Sequence, residues 1–226
     1  ARTSPRVMRP RFDQITTSTT AGRAVWFYAE KLLLPIDLAF IYPRWDLSRV
    51  SLAWPFTAAA LPIVLMALSP RIGRGPAVAV LLFGGILFPA LGFVDVYPFL
   101  FSFVADHFQY HAAIPMMVLL ASAIALGMER LGLPPFSRRT AQTVLILILA
   151  LLTFRQSRIY ENRETLWRDT IAKTPNSWMP LSNLGLELDQ QGRTTEALPF
   201  LQQSLALRPH DAIGHYNVGT AYQKLG

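Results

Sequence analysis

The side chains with the most chemical scope lie in two short stretches that are otherwise apolar and aromatic. Residues 24–42 carry Glu30, Lys31 and Asp37 around Pro35, with Trp26, Tyr28, Tyr42 and Trp45 beside them. A plain lipid-facing helix does not hold three charges, so the stretch reads as a helix lying in the membrane interface or as a re-entrant segment packed against protein. Lys31 could then hold a lipid phosphate, and Asp37 or Tyr42 a sugar hydroxyl. The competing reading is that Glu30 and Lys31 only reach out to headgroups. In the second stretch, Asp106, His107, Gln109, Tyr110 and His111 follow directly on the aromatic run Phe99-Leu-Phe-Ser-Phe103. Polar groups at a membrane boundary cost free energy unless paired or wet. An Asp106 carboxylate orienting the His107 imidazole gives a proton acceptor or a phosphate partner. The competing reading makes Asp106 an N-cap of the next helix, with His107 and Tyr110 at headgroup depth.

Other chemistries find little support. The chain has no cysteine, which excludes disulfides, thiolate metal sites and cysteine nucleophiles, and its four histidines show no HExxH spacing. Gly73 and Gly75 are not preceded by a strand and so form no nucleotide fingerprint. The charge balance is 21 − 14 = +7, but the lysines and arginines are scattered singly or in pairs and make no stripe for a nucleic-acid backbone. No cofactor is identifiable.

The elements that must position these groups are set by hydropathy. Of 226 residues, 52% are hydrophobic and 15% charged, against about 25% charged in ordinary soluble domains, so part of the chain meets lipid. Segments 50–68, 76–94 and 110–126 have uncharged interiors and, at about 1.5 Å per residue, approach or match a hydrocarbon core roughly 30 Å thick. Residues 140–154 are shorter but lack a polar face and read as a fourth span. Pro55, Pro62 and Pro89 lie inside spans, where membrane helices tolerate them as kinks. Residues 1–23 read as a polar loop and 24–49 as the interfacial or re-entrant segment. The loops holding Arg71 and Arg74, and Arg130, Arg138 and Arg139, are basic, whereas 95–109 has no Lys or Arg. The latter is expected to face away from the cytoplasm, together with the C-terminal region.

That C-terminal region repeats itself. Asn183-Leu-Gly185 recurs as Asn217-Val-Gly219, and Thr174-Pro175 as Arg208-Pro209; both offsets, 217 − 183 and 209 − 175, are 34, the tetratricopeptide period. Residues 160–226 are therefore expected to hold a complete helix-turn-helix unit at about 178–211 with partial units on either side. The expected fold class is all-α: a multi-span transmembrane helical bundle followed by a tetratricopeptide repeat segment. An opening without an initiator Met and a last repeat helix with no partner predict that the protein continues at both ends.

These stretches also carry a resemblance. Tyr28-Ala-Glu-Lys-Leu-Leu-Leu-Pro35, residues 38–42, Pro89-Ala-Leu-Gly-Phe93, Tyr97-Pro98, Ser102-Phe-Val-Ala-Asp106-His-Phe-Gln-Tyr110 and Glu164-Thr-Leu-Trp-Arg-Asp169, in that order, resemble the transmembrane and tetratricopeptide-repeat protein family. That family is similar to the protein O-mannosyltransferases of the GT-C superfamily. The resemblance implies an integral membrane glycosyltransferase of a bacterial inner membrane or the endoplasmic reticulum. It would transfer a sugar, mannose by analogy, from a polyprenyl-phosphate donor, while periplasmic or lumenal repeats bind the acceptor protein. It also marks Asp106 and His107 as functional, since they fall in a Val-Ala-Asp signature that animal members follow with Arg where this chain has His107. The substrate-binding set is then Lys31, Asp37, Tyr42, Asp106, His107 and Tyr110. In the superfamily the acidic residues acting as base or metal ligand lie in a first outer loop with no counterpart in this sequence. No catalytic residue is assigned here, and a divalent metal would belong to the full-length protein.

Two non-enzymatic readings compete with this one: a membrane-anchored tetratricopeptide scaffold and a transporter of a lipid-linked substrate. A tether needs only one span, and a transporter would more often bury ionisable residues at mid-membrane.

Overall fold

A computed structural model describes residues 14–46, 51–93 and 102–226, and among these the secondary structure is helical throughout. The chain divides into two compact units. One comprises Ala1–Leu38 with Arg44–Ala121, the other Ala39–Pro43 with Ser122–Gly226.

In the first unit, α1 runs Gln14–Leu33, so the helix begins inside the segment expected to be a polar loop. The run Thr16-Thr-Ser-Thr-Thr20 obscured this, because β-branched hydroxyl residues favour caps and turns over helix interiors. In the helix the Thr20 hydroxyl donates to the Thr16 carbonyl at 2.8 Å. Small residues make the close approach to α2 (Ala53–Ala67): Ala21 and Ala24 are buried, and a Cβ at Gly22 would run into the Pro55 backbone. The Trp26 indole N–H adds a hydrogen bond to the Thr57 hydroxyl at 3.0 Å. A short turn, α3 (Ser69–Ile72), leads to α4 (Gly75–Leu87), which buries Ala77, Ala79, Phe83 and Leu87 and passes into a 3-10 turn at Phe88–Ala90.

A second 3-10 turn, Asp106–Gln109, feeds α5 (Tyr110–Arg130). The α5 helix ends on Gly132, whose φ of 67° is the left-handed geometry that lets a helix stop and reverse. Arg138 on α6 (Pro135–Ser157) then pairs with Glu129 on α5 at 3.0 Å. Asp106–Arg130 and Pro135–Tyr160 are long and apolar enough to cross a membrane; the apolar helices Ala53–Ala67 and Gly75–Ala90 are shorter. The side chains Leu145 to Leu149 on α6 are all exposed, as expected of a surface made for lipid rather than water.

The second unit continues with a run of short helices. After a 3-10 turn at Arg158–Tyr160 come α7 (Arg163–Lys173), α8 (Trp178–Gln190), α9 (Thr194–Leu207) and α10 (Ala212–Leu225). The starts of α8 and α10 are 212 − 178 = 34 residues apart, the offset read from the sequence. The Asn162 side chain caps α7 by accepting the Thr165 backbone N–H at 2.8 Å. Leu184, Leu188, Ala197, Leu201 and Ala221 form the core, with Trp167, Ile171, Leu198 and Val218 packed on it. Gly185 is where α8 and α9 touch: a Cβ there would meet Leu201 side-chain carbons at 2.6 Å. Asp189 ties three helices together, accepting from the Thr194 hydroxyl at 2.8 Å and pairing with Lys224 at 2.7 Å. The segment Ala39–Pro43 belongs to this unit through Phe40, whose ring stands edge-on to Trp167 at 5.5 Å and to Tyr160 at 6.3 Å.

Candidate functional site

Residues 24–38 of the first polar stretch and the second stretch meet in the first unit. Tyr28, at the inner face of α1, is fully buried, and its hydroxyl accepts the Ala105 backbone N–H at 3.1 Å. That bond holds residues 102–106 beside the second half of α1. Burial pushes the Tyr28 phenol above its ordinary value and the nearby Asp106 charge adds to this, while the Ala105 bond works the other way; the hydroxyl stays neutral. The approach to Asp106 is fixed locally as well, because the Ser102 hydroxyl donates to the Val104 carbonyl at 2.7 Å and Val104 is fully buried.

Around this junction lies an aromatic cluster. Trp45 is 5.9 Å from Phe103 with the rings tilted by 34°, and Phe27 meets Trp45 edge-on at 5.9 Å. Two guanidiniums sit over the pair: Arg23 Cζ is 4.3 Å from the Trp45 centroid and Arg44 Cζ 4.8 Å from the Phe103 centroid. Burial lowers the pKa of Arg44, a mark of partial desolvation.

The six residues selected from sequence fall differently. Asp106 is the first residue of its 3-10 turn, and Ala105 occupies the cap position without a side-chain cap bond; a carboxylate there is favoured by the N–H groups of the turn. His107 is exposed and stands edge-on to Phe108 at 4.6 Å. Among the described residues its ring makes no hydrogen bond or ion pair, so the expected Asp106–His107 contact is not formed. Tyr110 is exposed at the start of α5. Lys31 closes the end of α1 by donating to the Ile36 carbonyl at 2.7 Å, a use of the ammonium that sequence spacing did not suggest. Asp37 is exposed and has a φ of 53°, a left-handed conformation that Asp adopts more readily than most residues. Tyr42 belongs to the second unit, where its buried hydroxyl accepts the Ala39 backbone N–H at 3.2 Å. It is therefore occupied in shaping its own loop.

Three residues at this junction were not selected from the sequence, although Gln109 was noted among its polar groups. Gln109 is buried and its Oε1 has no hydrogen-bond partner among the described residues, a costly state for a carbonyl that a hydroxyl or N–H donor would relieve. Arg23 and Arg44 were overlooked because isolated arginines in an apolar stretch have no periodic pattern; the Arg44-Trp45 pair was the available sign. The part of the outer loop at 95–101 lies outside the described residues. Among the described residues no three of His, Asp and Glu gather to hold a metal ion.

Comparison with known proteins agrees with the sequence resemblance. The chain is 28% identical over 220 residues to protein O-mannosyl-transferase TMTC1 of Mus musculus, covering 91% of this chain and 22% of that protein. It is 25% identical over 228 residues to protein O-mannosyl-transferase TMTC1 of Homo sapiens, covering 96% and 25%. With protein O-mannosyl-transferase Tmtc2 of Drosophila melanogaster it is 36% identical over 75 residues, covering 33% and 8%. The chain thus spans a quarter or less of the length of these relatives. No family model matches, and no solved structure matches. The apolar helices and these similarities together point to a membrane protein.

Proposed function

We propose that the chain is part of an integral membrane glycosyltransferase that moves a sugar, mannose by analogy with its relatives, from a polyprenyl-phosphate donor to an acceptor protein. The observation that carries this reading is the similarity to mannosyl-transferases along 91% of the chain, through both the apolar helices and the repeats. The junction between α1 and residues 102–110 serves as the donor-facing region. Its aromatic rings suit an isoprenoid chain, and Gln109 Oε1 and the exposed Asp37 offer acceptors for sugar hydroxyls. Asp106 lies near the neutral Tyr28 phenol and helps order the loop. The repeats hold the acceptor polypeptide on the non-cytoplasmic side, in the periplasm or a lumen.

The test is sugar transfer from polyprenyl-phosphate mannose by the full-length protein in detergent, comparing wild type with Asp106→Ala and Gln109→Leu. A fall in transfer of at least tenfold in both folded variants is expected. Wild-type rates in both would remove this region from the donor site. Capture of an acceptor protein without any transfer would favour a scaffold.

A further inference from the structure

We propose that Arg23 and Arg44, mounted on the Trp45–Phe103 ring pair, form the site that grips the phosphate of a lipid-linked donor; this rests on the glycosyltransferase reading and assigns the phosphate to residues other than Lys31 or His107. Three observations carry it.

The first is that neither guanidinium is paired with an anion among the described residues. Among the described residues neither Arg23 nor Arg44 forms an ion pair or donates a hydrogen bond. The other arginine-rich part of the protein behaves differently: Arg168 and Arg193 are each paired with both Glu164 and Glu196. A guanidinium over a ring face gains from the ring quadrupole while its N–H groups remain available.

The second is placement. Arg23 comes from α1, and Arg44 from the irregular stretch after it, yet each lies over one ring of a pair only 5.9 Å apart. The Tyr28–Ala105 bond fixes the segment that carries Phe103, so the platform is built from three separate parts of the chain. A phosphate ester offers several acceptor oxygens and matches the planar donor fork of arginine, which a point-charge ammonium does not.

The third is the chemistry next to the cations. Phe27, Trp45 and Phe103 provide apolar and aromatic surface beside them, as an anion carrying a hydrocarbon chain requires and free phosphate does not. Lys31 is already engaged with the Ile36 carbonyl, and the exposed His107 ring makes no hydrogen bond among the described residues.

The experiment uses the full-length protein in detergent and three probes: a polyprenyl monophosphate, the matching polyprenol without phosphate, and inorganic phosphate. Arg23→Gln and Arg44→Gln are each expected to weaken polyprenyl-phosphate binding at least tenfold while polyprenol binding stays within twofold of wild type. Arg44→Lys is expected to recover part of the loss, and inorganic phosphate to compete only at concentrations orders of magnitude above the lipid. Wild-type affinity for polyprenyl phosphate in both glutamine variants overturns the proposal. So does an equal fall in polyprenol binding, which would make the arginines supports of the ring platform. Competition by inorganic phosphate at the same concentration as the lipid would assign the site to free phosphate and overturn the lipid assignment. Sugar transfer separates the two readings. Arginine-dependent lipid-phosphate binding in a protein with no transferase activity would refute the enzyme and leave this site standing, whereas transfer unaffected by both variants would do the reverse.

Discussion

The Tyr28 hydroxyl and the Ala105 backbone N–H share a hydrogen bond of 3.1 Å across 77 positions of sequence, and both residues are buried. This bond joins α1 to the loop that carries Asp106. Tyr28→Phe removes the acceptor and strands a buried N–H, which is expected to cost about 1–3 kcal/mol. Amide exchange at Ala105 is expected to accelerate in the full-length variant. Unchanged exchange there would show that the loop is held by other contacts.

Gly185 and Gly219 occupy equivalent positions in the repeat, 34 residues apart, but their surroundings differ. A Cβ at Gly185 meets Leu201 at 2.6 Å, whereas one at Gly219 has open space around it. Gly185→Leu is expected to destabilise the repeat segment by about 1–3 kcal/mol through overpacking. Gly219→Ala is expected to be neutral or to stabilise α10 by up to about 1 kcal/mol through helix propensity. Thermal unfolding of the two variants side by side checks the register, and a larger loss in Gly219→Ala than in Gly185→Leu would contradict it.

Glu164 and Glu196 each accept from Arg193 and Arg168, and these bonds hold both carboxyls below the ordinary glutamate value of 4.5. With a depressed folded value, their contribution is complete above pH 4.5 and is lost as the pH falls through the folded pKa values beneath it. The pairs are exposed, so added salt is expected to weaken the same contacts. Following amide protection in α7 against pH and ionic strength tests this. Arg193→Ala is expected to abolish most of the dependence, and protection that is flat from pH 5 to 3 in wild type would argue against the network.

The basic loops and the Lys- and Arg-free segment 95–109 predict opposite sides of the membrane. Cysteines introduced at His107 and Gln203 are expected to react with an impermeant thiol reagent from the non-cytoplasmic face, and one at Arg74 only after the membrane is opened. Labelling of His107→Cys solely from the cytoplasm would invert this orientation.

The helices α8, α9 and α10 were the most legible elements of the sequence, because a 34-residue offset between matching triplets and a leucine period on α8 and α9 are local patterns. The region around Asp106 was legible as a concentration of polar groups after an aromatic run, but its internal arrangement was not. Where residues 102–106 lie against α1 is not a local property. That placement is made by long-range contacts such as Gly22 on Pro55 and Tyr28 on Ala105, for which neighbouring residues carry no sign. The helical state of residues 14–23 escaped for the converse reason: its local propensity is weak and its packing decides.

The clasp of Phe40 on Tyr160 and Trp167 bears on biosynthesis. A ribosome releases Phe40 long before the aromatic partners with which it packs, so the repeat segment cannot reach its finished form as each helix emerges. Until synthesis has passed α7, the five-residue stretch Ala39–Pro43 waits with the Phe40 ring uncommitted. Assembly of this unit is thereby tied to completion of the apolar helices translated between them, and a repeat segment expressed alone would emerge with the indole of Trp167 lacking its native aromatic neighbour.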